Sequence, residues 1–384
     1  MIFLRKVLCL ILAFACFWCG ADVSAVSVSA KSAVLIDFYS GDVLFEKNAS
    51  QRLSMASTTK IMTAICAIEN ADLSEVVTVD KRAVGVEGSS MYLGYGEKIT
   101  VENLVYGLML SSGNDAAVAL ALHVSGSIEN FARLMNDTAK KIGAVNTSFK
   151  NPNGLDEEGH YTTAYDLAMI TRYAMQNEKF CEIVSTKQKK MPWQGRTYGR
   201  TLRNHNKLLF LTDYCDGVKT GFTKRSGRCL VSSANKDNLR VIAVTLYAPD
   251  DWNDHKNMMS YAIDNYKAVN IVKKGEYAFT APVSGSDKEY VKCVFADDIF
   301  VTAKKDDNVD ISFEYGENAH LDAPVKIGAD IGKININAGN RRISAKVVSC
   351  ENADKKKNIK EKISGGAFSE NAGRIFEIWL GRAF

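Results

Sequence analysis

Two β-rich runs near the start of this chain and two more far downstream constrain its fold more than any other feature. Ala33-Val34-Leu35-Ile36-Asp37-Phe38 and Val43-Leu44-Phe45-Glu46-Lys47 flank the turn Tyr39-Ser40-Gly41-Asp42, which is the pattern of a hairpin. Cys229–Ala234 and Leu239–Tyr247 flank Asn235-Lys236-Asp237-Asn238 in the same way, preceded by a short strand at Asp216–Thr223. Between these ends the apolar spacing is helical. A helix begins in Ser54–Ala64, with Ile61, Met62, Ala64, Ile65 and Ile68 on one face. Another is capped by Thr100, buries Val101, Leu104, Val105 and Leu108, and breaks at Ser111-Ser112-Gly113-Asn114. Helical pattern resumes at Asp115–Val124, at Phe131–Ile142, from a Thr163 cap to about Asn177, and from about Trp252 to Tyr266 with Met259, Ala262, Ile263 and Tyr266 inward. The glycine-rich stretch Val84–Lys98 reads as an irregular surface loop. The pieces add up to one sheet built from both ends with helices inserted, an α/β or α+β domain over residues 31–270.

From Lys274 to Cys350 the helical period disappears. Runs such as Tyr290–Phe295 and Lys333–Ile336 alternate between Gly, Asp and Asn breaks, which predicts a small all-β domain over 274–350. The two termini differ from both domains. Arg5 and Lys6 precede an apolar run from Val7 to Trp18, then small residues with candidate cleavage sites after Ala25 or Ala30. That is the pattern of a signal peptide, over residues 1–25 in the earlier of the two cuts, and it predicts export. The tail, 351–384, opens with Lys355-Lys356-Lys357 and ends in a Trp/Phe/Ile/Leu-bearing segment. It fits an interfacial membrane helix, the alternative being a helix docked on its own domain.

Composition excludes some classes of function. A net charge of +4 on 384 residues, with no basic block interleaved with aromatics before the tail, argues against a nucleic-acid partner. Five prolines and no low-complexity run argue against long disordered regions. Of nine cysteines, Cys9, Cys16 and Cys19 fall in the signal. The other six (Cys66, Cys181, Cys215, Cys229, Cys293 and Cys350) lack the spacing of a zinc site, so neither metal nor cofactor is expected. They read mostly as small buried hydrophobes, with one or two bridges left open.

Chemistry concentrates in three short motifs. Ser57-Thr58-Thr59-Lys60 opens a buried helix, which places Ser57 and Lys60 one turn apart on one side. A serine hydroxyl needs a base to become a nucleophile, and a lysine in an apolar pocket loses pKa and can serve. Ser112-Gly113-Asn114 lies in the inter-helix break and Lys219-Thr220-Gly221 on the short strand. Singly, these read as a solvated helix start, a helix-breaking turn and a strand end. Asp115 and Asp166 read as helix caps. None of the five histidines, His123, His160, His205, His255 and His320, stands next to a motif serine, which argues against a Ser-His-Asp enzyme.

In this order the three motifs resemble the signature of penicillin-binding proteins and class A β-lactamases. The surrounding stretches Ser112–Ala116, Asn151-Pro152-Asn153-Gly154-Leu155, Asp216–Thr223 and Ala323–Gly328 are similar to those of the D-alanyl-D-alanine carboxypeptidases, and the likeness covers about residues 30 to 350. The resemblance implies an α+β transpeptidase domain, an antiparallel sheet with helices, followed by a small all-β domain. It also implies a substrate, the peptidoglycan stem peptide ending in D-Ala-D-Ala, and β-lactam antibiotics as inhibitors. The implied catalytic set is Ser57 as nucleophile, Lys60 as base, Ser112 as proton carrier, Asn114 orienting Lys60 and substrate, and Lys219. The implied substrate-binding set is Lys219, Thr220, Gly221 and Phe222, with the backbone N–H groups of Ser57 and Phe222 holding the oxyanion. Phe222 stands where several members carry His. Two rivals share the motifs: a β-lactamase, for which Glu157 and Glu158 are the nearby carboxylates, and a catalytically silent wall-binding protein.

Overall fold

A computed structural model describes residues 26–314 and 320–356. The signal expected over 1–25 and all but the first residues of the expected tail lie outside the described residues. The chain divides into two compact units between Lys267 and Ala268.

The first unit is built on one antiparallel sheet of five strands: β1 (Ser32–Asp37), β2 (Val43–Lys47), β3 (Cys215–Thr223), β4 (Gly227–Lys236) and β5 (Leu239–Leu246). Their order is β2-β1-β5-β4-β3, so the two ends of the domain meet where β1 pairs with β5, Leu35 opposite Ala243. All six residues of β1 are buried, because both faces of the sheet are covered. Val34, Ile36, Val231, Ile242 and Val244 point into the main helical core, while alternate residues face the other way. There Ser232 Oγ and Thr245 Oγ1 bond the two ring nitrogens of His255, at 2.8 and 3.0 Å, on helix α7 (Asp251–Asn265).

The remaining helices of eight residues or more are α1 (Lys60–Asn70), α2 (Val101–Leu110), α3 (Asn114–Ser125), α4 (Ile128–Ile142), α5 (Ala164–Ala174) and α6 (Glu178–Ser185). The predicted caps hold: Thr100 Oγ1 accepts from Asn103 N–H at 3.2 Å and Thr163 Oγ1 from Asp166 N–H at 3.0 Å. The helix expected to run to about Asn177 stops at Ala174, and Asn177 instead caps α6 by accepting from Phe180 N–H. In α7 the fully buried positions are His255, Met258, Met259 and Ala262, whereas Ile263 and Tyr266 are half-buried. The Val84–Lys98 loop is not merely surface, since Met91 and Leu93 enter the core. Asp115 and Asp166 do not act as N-caps. Asp115 accepts from Ser90 Oγ and from the N–H groups of Met91 and Leu93, stapling that loop to α3. Asp166 accepts from Asn146 N–H and Thr147 Oγ1 and fastens the chain ahead of α5.

Described residues of the second unit form strands and no helix. β6 (Tyr266–Val272) pairs with β9 (Ile299–Lys304). A six-stranded sheet runs β10-β12-β13-β8-β7-β11, from β7 (Tyr277–Ser284), β8 (Tyr290–Phe295), β10 (Ile311–Glu314), β11 (Leu321–Asp322), β12 (Asp330–Ala338) and β13 (Arg341–Ser349). Its core is small and aliphatic, with Ala281, Cys293, Ile336, Ala345 and Val347 fully buried. The six described cysteines are free thiols, so the bridges left open by the sequence are absent here. Among the described residues no helix is long and apolar enough to cross a membrane.

Candidate active site

Ser57 sits in a single 3-10 turn, Ala56–Thr59, that leads directly into Lys60, the first residue of α1. The turn is set by Ala56 at φ +48°, a left-handed conformation that Ala rarely adopts. Ser112 carries the same irregularity at φ +57°. Such residues cost about 1–3 kcal/mol each, and they persist where the surroundings over-determine them. Both flank the same cleft.

Lys60 is 0% exposed, although a lone buried ammonium is strongly disfavoured. Its Nζ lies 2.8 Å from Ser57 Oγ, 2.6 Å from Asn114 Oδ1 and 2.6 Å from the Asn153 carbonyl. Burial pulls its pKa well below the ordinary lysine value and the nearby Lys219 pulls it further, against a smaller opposing pull from Asp115. Two of the three neighbours are obligate acceptors. Nζ donates to all three, and an amine that has given up one proton still satisfies the two obligate acceptors and has a lone pair left for Ser57 Oγ.

Asn114 is held in turn. Its Nδ2 donates to the Glu87 carbonyl and its backbone N–H to the Ser89 carbonyl at 2.7 Å. The Asn151–Leu155 stretch, a turn cluster in the sequence, backs the nucleophile. Pro152 O accepts from Thr63 Oγ1 at 2.6 Å, and Gly154, at φ +86°, lets the loop close on Ala56, whose carbonyl oxygen a Cβ would meet at 2.0 Å.

The third motif lies on β3, which pairs with β4 alone in the sheet and so offers its other edge. A Cβ on Gly221 would stand 3.1 Å from Met55 O, Ser57 N and Thr58 N, so only glycine lets this strand lie against the nucleophile's turn. Lys219 is buried, its Nζ donates to Thr220 O at 2.8 Å, and burial draws its pKa down to about 7. Phe222 turns its ring outward, 66% exposed.

A cleft of about 340 Å³ joins these parts. Ser57, Ser112, Thr220, Gly221 and Phe222 line it, while Lys60, Asn114 and Lys219 stand buried behind its wall. All eight residues picked from the sequence are thus gathered around one cleft. Ser89, His205, Arg228 and Trp252 also line it and carried no signal in the sequence. At the rim Arg228 Nε donates to Asp251 at 2.9 Å, with its guanidinium over the Trp252 ring. His160 lies near the site without touching a cleft serine. Its Nδ1 accepts from Lys150 N–H at 3.0 Å, so its proton sits on Nε2 and goes to Thr59 Oγ1 at 2.8 Å. Burial holds it down to about 4, neutral at physiological pH.

Residues 20–250 match the family model described as D-alanyl-D-alanine carboxypeptidase, and residues 266–362 match penicillin-binding protein 5, C-terminal domain. The chain belongs to the D-alanyl-D-alanine carboxypeptidase family. It is a serine-type hydrolase of that family with a transpeptidase-like fold. The D-alanyl-D-alanine carboxypeptidase DacF of Bacillus subtilis is 35% identical over 324 residues, 82% of this chain and 83% of the relative. The Escherichia coli DacC carboxypeptidase is 33% identical over 351 residues, 86% of each chain. Penicillin-binding protein 5 from Haemophilus influenzae superposes with a TM-score of 0.64 at 30% identity, covering 86% of this chain and 98% of that structure.

Proposed function

We propose that this enzyme removes the terminal D-Ala from peptidoglycan stem peptides through an ester on Ser57. The observation that carries the reading is the buried Lys60 amine with two obligate acceptors and the Ser57 hydroxyl as its neighbours. Ser57 Oγ attacks the carbonyl of the penultimate D-Ala and its proton passes to Lys60 Nζ. The resulting oxyanion is met by the backbone N–H groups of Ser57 and Phe222, which Gly221 brings close together. As the intermediate collapses, the proton moves by way of Ser112 Oγ to the departing amine, and D-Ala leaves. Water then attacks the ester with Lys60 again as base. The peptide lies extended along the open edge of β3. Thr220 and the charge of Lys219 receive its terminal carboxylate. A β-lactam follows the first step and stays on Ser57, because its opened ring holds the leaving group in place.

The β-lactamase rival needs a carboxylate to drive deacylation. Glu157 and Glu158 are exposed, neither lines the cleft, and Glu157 bonds Asn151. The silent wall-binding rival is disfavoured by the intact Ser57–Lys60 pair. Export, a site of action outside the cytoplasmic membrane and a membrane-lying tail complete the proposal. The signal pattern and the basic, aromatic tail support them. The deciding experiment measures free D-alanine released from a synthetic peptide ending in D-Ala-D-Ala, with and without penicillin. Release that penicillin blocks supports the reading. No release, or rapid turnover of the drug, overturns it.

A further inference from the structure

Within the first unit a second opening shares no residue with the cleft. A two-stranded ribbon, Gln188–Met191 against Arg200–Arg203, carries a long turn that overhangs the strand pair 76–78 and 98–100. Together they enclose a groove of about 620 Å³. Trp193 and Tyr198 stand in it edge to face, 5.9 Å apart and at 89°, with Tyr198 60% exposed. Such a pair at the tip of a ribbon contributes nothing to the core. Around the rings are the neutral hydrogen-bonding side chains of Thr100, Asn103 and Thr197 and the charged Glu97, Lys98 and Arg196, the last with its guanidinium 5.7 Å from the Trp193 ring centre.

We propose that this groove binds the glycan strand to which the stem peptide is attached. The proposal rests on the function proposed above and extends it to the substrate's sugar portion. A pyranose presents C–H faces and a rim of hydroxyl and acetamido groups. Aromatic faces take the former and neutral amides and hydroxyls the latter. A polyanion would need Arg196 and Lys98, but the Arg196 guanidinium lies over the Trp193 ring and the Glu97 carboxylate lines the same groove.

The groove is fixed with respect to the cleft. Arg200, 4% exposed, packs its guanidinium 4.7 Å from the Trp193 ring centre. It pairs with Glu97 at 3.0 Å and donates to Tyr92 O at 3.0 Å, while its Nε has no partner. Gln194 Oε1 accepts from Lys98 N–H at 2.6 Å. Ribbon and loop therefore move as one piece, and Asn114 and Asp115 hold the same loop at its other end. Ser89 in the cleft and Glu97 in the groove are eight residues apart in sequence (97 − 89). At most about 3.6 Å per residue, the two openings lie within about 30 Å. A strand held in the groove thus raises the local concentration of its own stem peptide at Ser57.

The test compares wild type with Tyr198→Ser, which removes an exposed ring, and Trp193→Ala. Binding of an N-acetylglucosamine tetramer is followed by tryptophan fluorescence and calorimetry. D-Ala release is measured on free pentapeptide and on the same peptide carried by uncross-linked glycan. We expect tetramer binding by the wild type, weakened roughly three- to tenfold by Tyr198→Ser. KM for the glycan-borne peptide should rise by a similar factor, with free pentapeptide unchanged. Equal tetramer affinity in wild type and Tyr198→Ser overturns the proposal. So does a wild type that ignores the tetramer and binds polyphosphate with steep salt dependence. Tetramer binding needs no catalysis, so failure to cleave free pentapeptide would count against the proposed function alone.

Discussion

The two units bury different kinds of side chain. In the helix-bearing unit Lys60, Lys219, Asp115, Glu97, Arg200 and His255 are all buried. Among the described residues of the β unit, the buried polar side chains are Thr302 and Ser349, and the rest of its core is aliphatic or aromatic with one thiol. Burying an ionisable group is costly unless it is bonded and paired. The first unit meets that cost with an extensive side-chain to backbone network, and in return obtains an amine whose pKa is far from its ordinary value. Among the described residues of the second unit no buried ionisable side chain stands in a comparable network. The candidate site lies in the unit that buries charge.

The most direct way to break this contrast is at Ser57. Ser57→Ala should lower D-Ala release by roughly 10⁴-fold or more and abolish covalent penicillin labelling, with an unchanged melting temperature. Wild-type release from that variant would mean that the buried network serves stability only. Next in size is Gly221→Ala. The new methyl meets three backbone atoms at 3.1 Å, none of which is a flexible side-chain end. Displacing the nucleophile's turn by a fraction of an ångström should slow acylation by about 10²-fold. Single-turnover labelling with fluorescent penicillin reads that rate, and an unaltered rate would show that the turn can move freely.

The converse test lies in the β unit. Ile336 is fully buried in its core. Ile336→Ala should destabilise that unit by about 2–5 kcal/mol while penicillin acylation proceeds at the wild-type rate. Denaturation followed alongside labelling separates the two effects. A matching fall in acylation would make the β unit part of the catalytic machinery.

What the sequence made legible follows the same division. Ser57, Lys60, Ser112, Asn114 and Lys219 could be found because each belongs to a contiguous motif, two at helix starts and the third within β3. The sheet assembled from both chain ends was legible because β1, β4 and β5 are strongly patterned. Asn153 acts through a backbone carbonyl, which every residue has and no motif marks. His205 and Arg228 reach the cleft because separate segments converge there, which periodicity alone does not encode. Asp115 and Asp166 read as caps because a carboxylate in a helix's first turn looks the same whichever backbone it binds. Asp115 takes the Ala116 N–H of its own helix and also the distant loop, and Asp166 takes the segment ahead of α5. The α6 helix was missed because Asn177, read as a stop, is a start.

The smallest effect concerns Lys219, where the contrast between buried charge and ordinary packing turns on pH. Its pKa of about 7 means that it loses its proton just above neutrality. Between pH 6 and 8 the charged fraction falls from about nine-tenths to about one-tenth. If that charge receives the substrate carboxylate, KM rises several-fold over this interval, and Lys219→Met flattens the rise. Stability must move the other way. In the unfolded chain the group titrates near 10.5, so between about 7 and 10.5 the unfolded state binds more protons than the folded one. The contribution of Lys219 to stability is therefore complete above 10.5 and is lost as pH falls through that window to about 7. The melting temperature of wild type relative to Lys219→Met should climb with pH over the range in which substrate affinity has declined. Parallel trends in the two measurements would show that Lys219 is not the group that titrates.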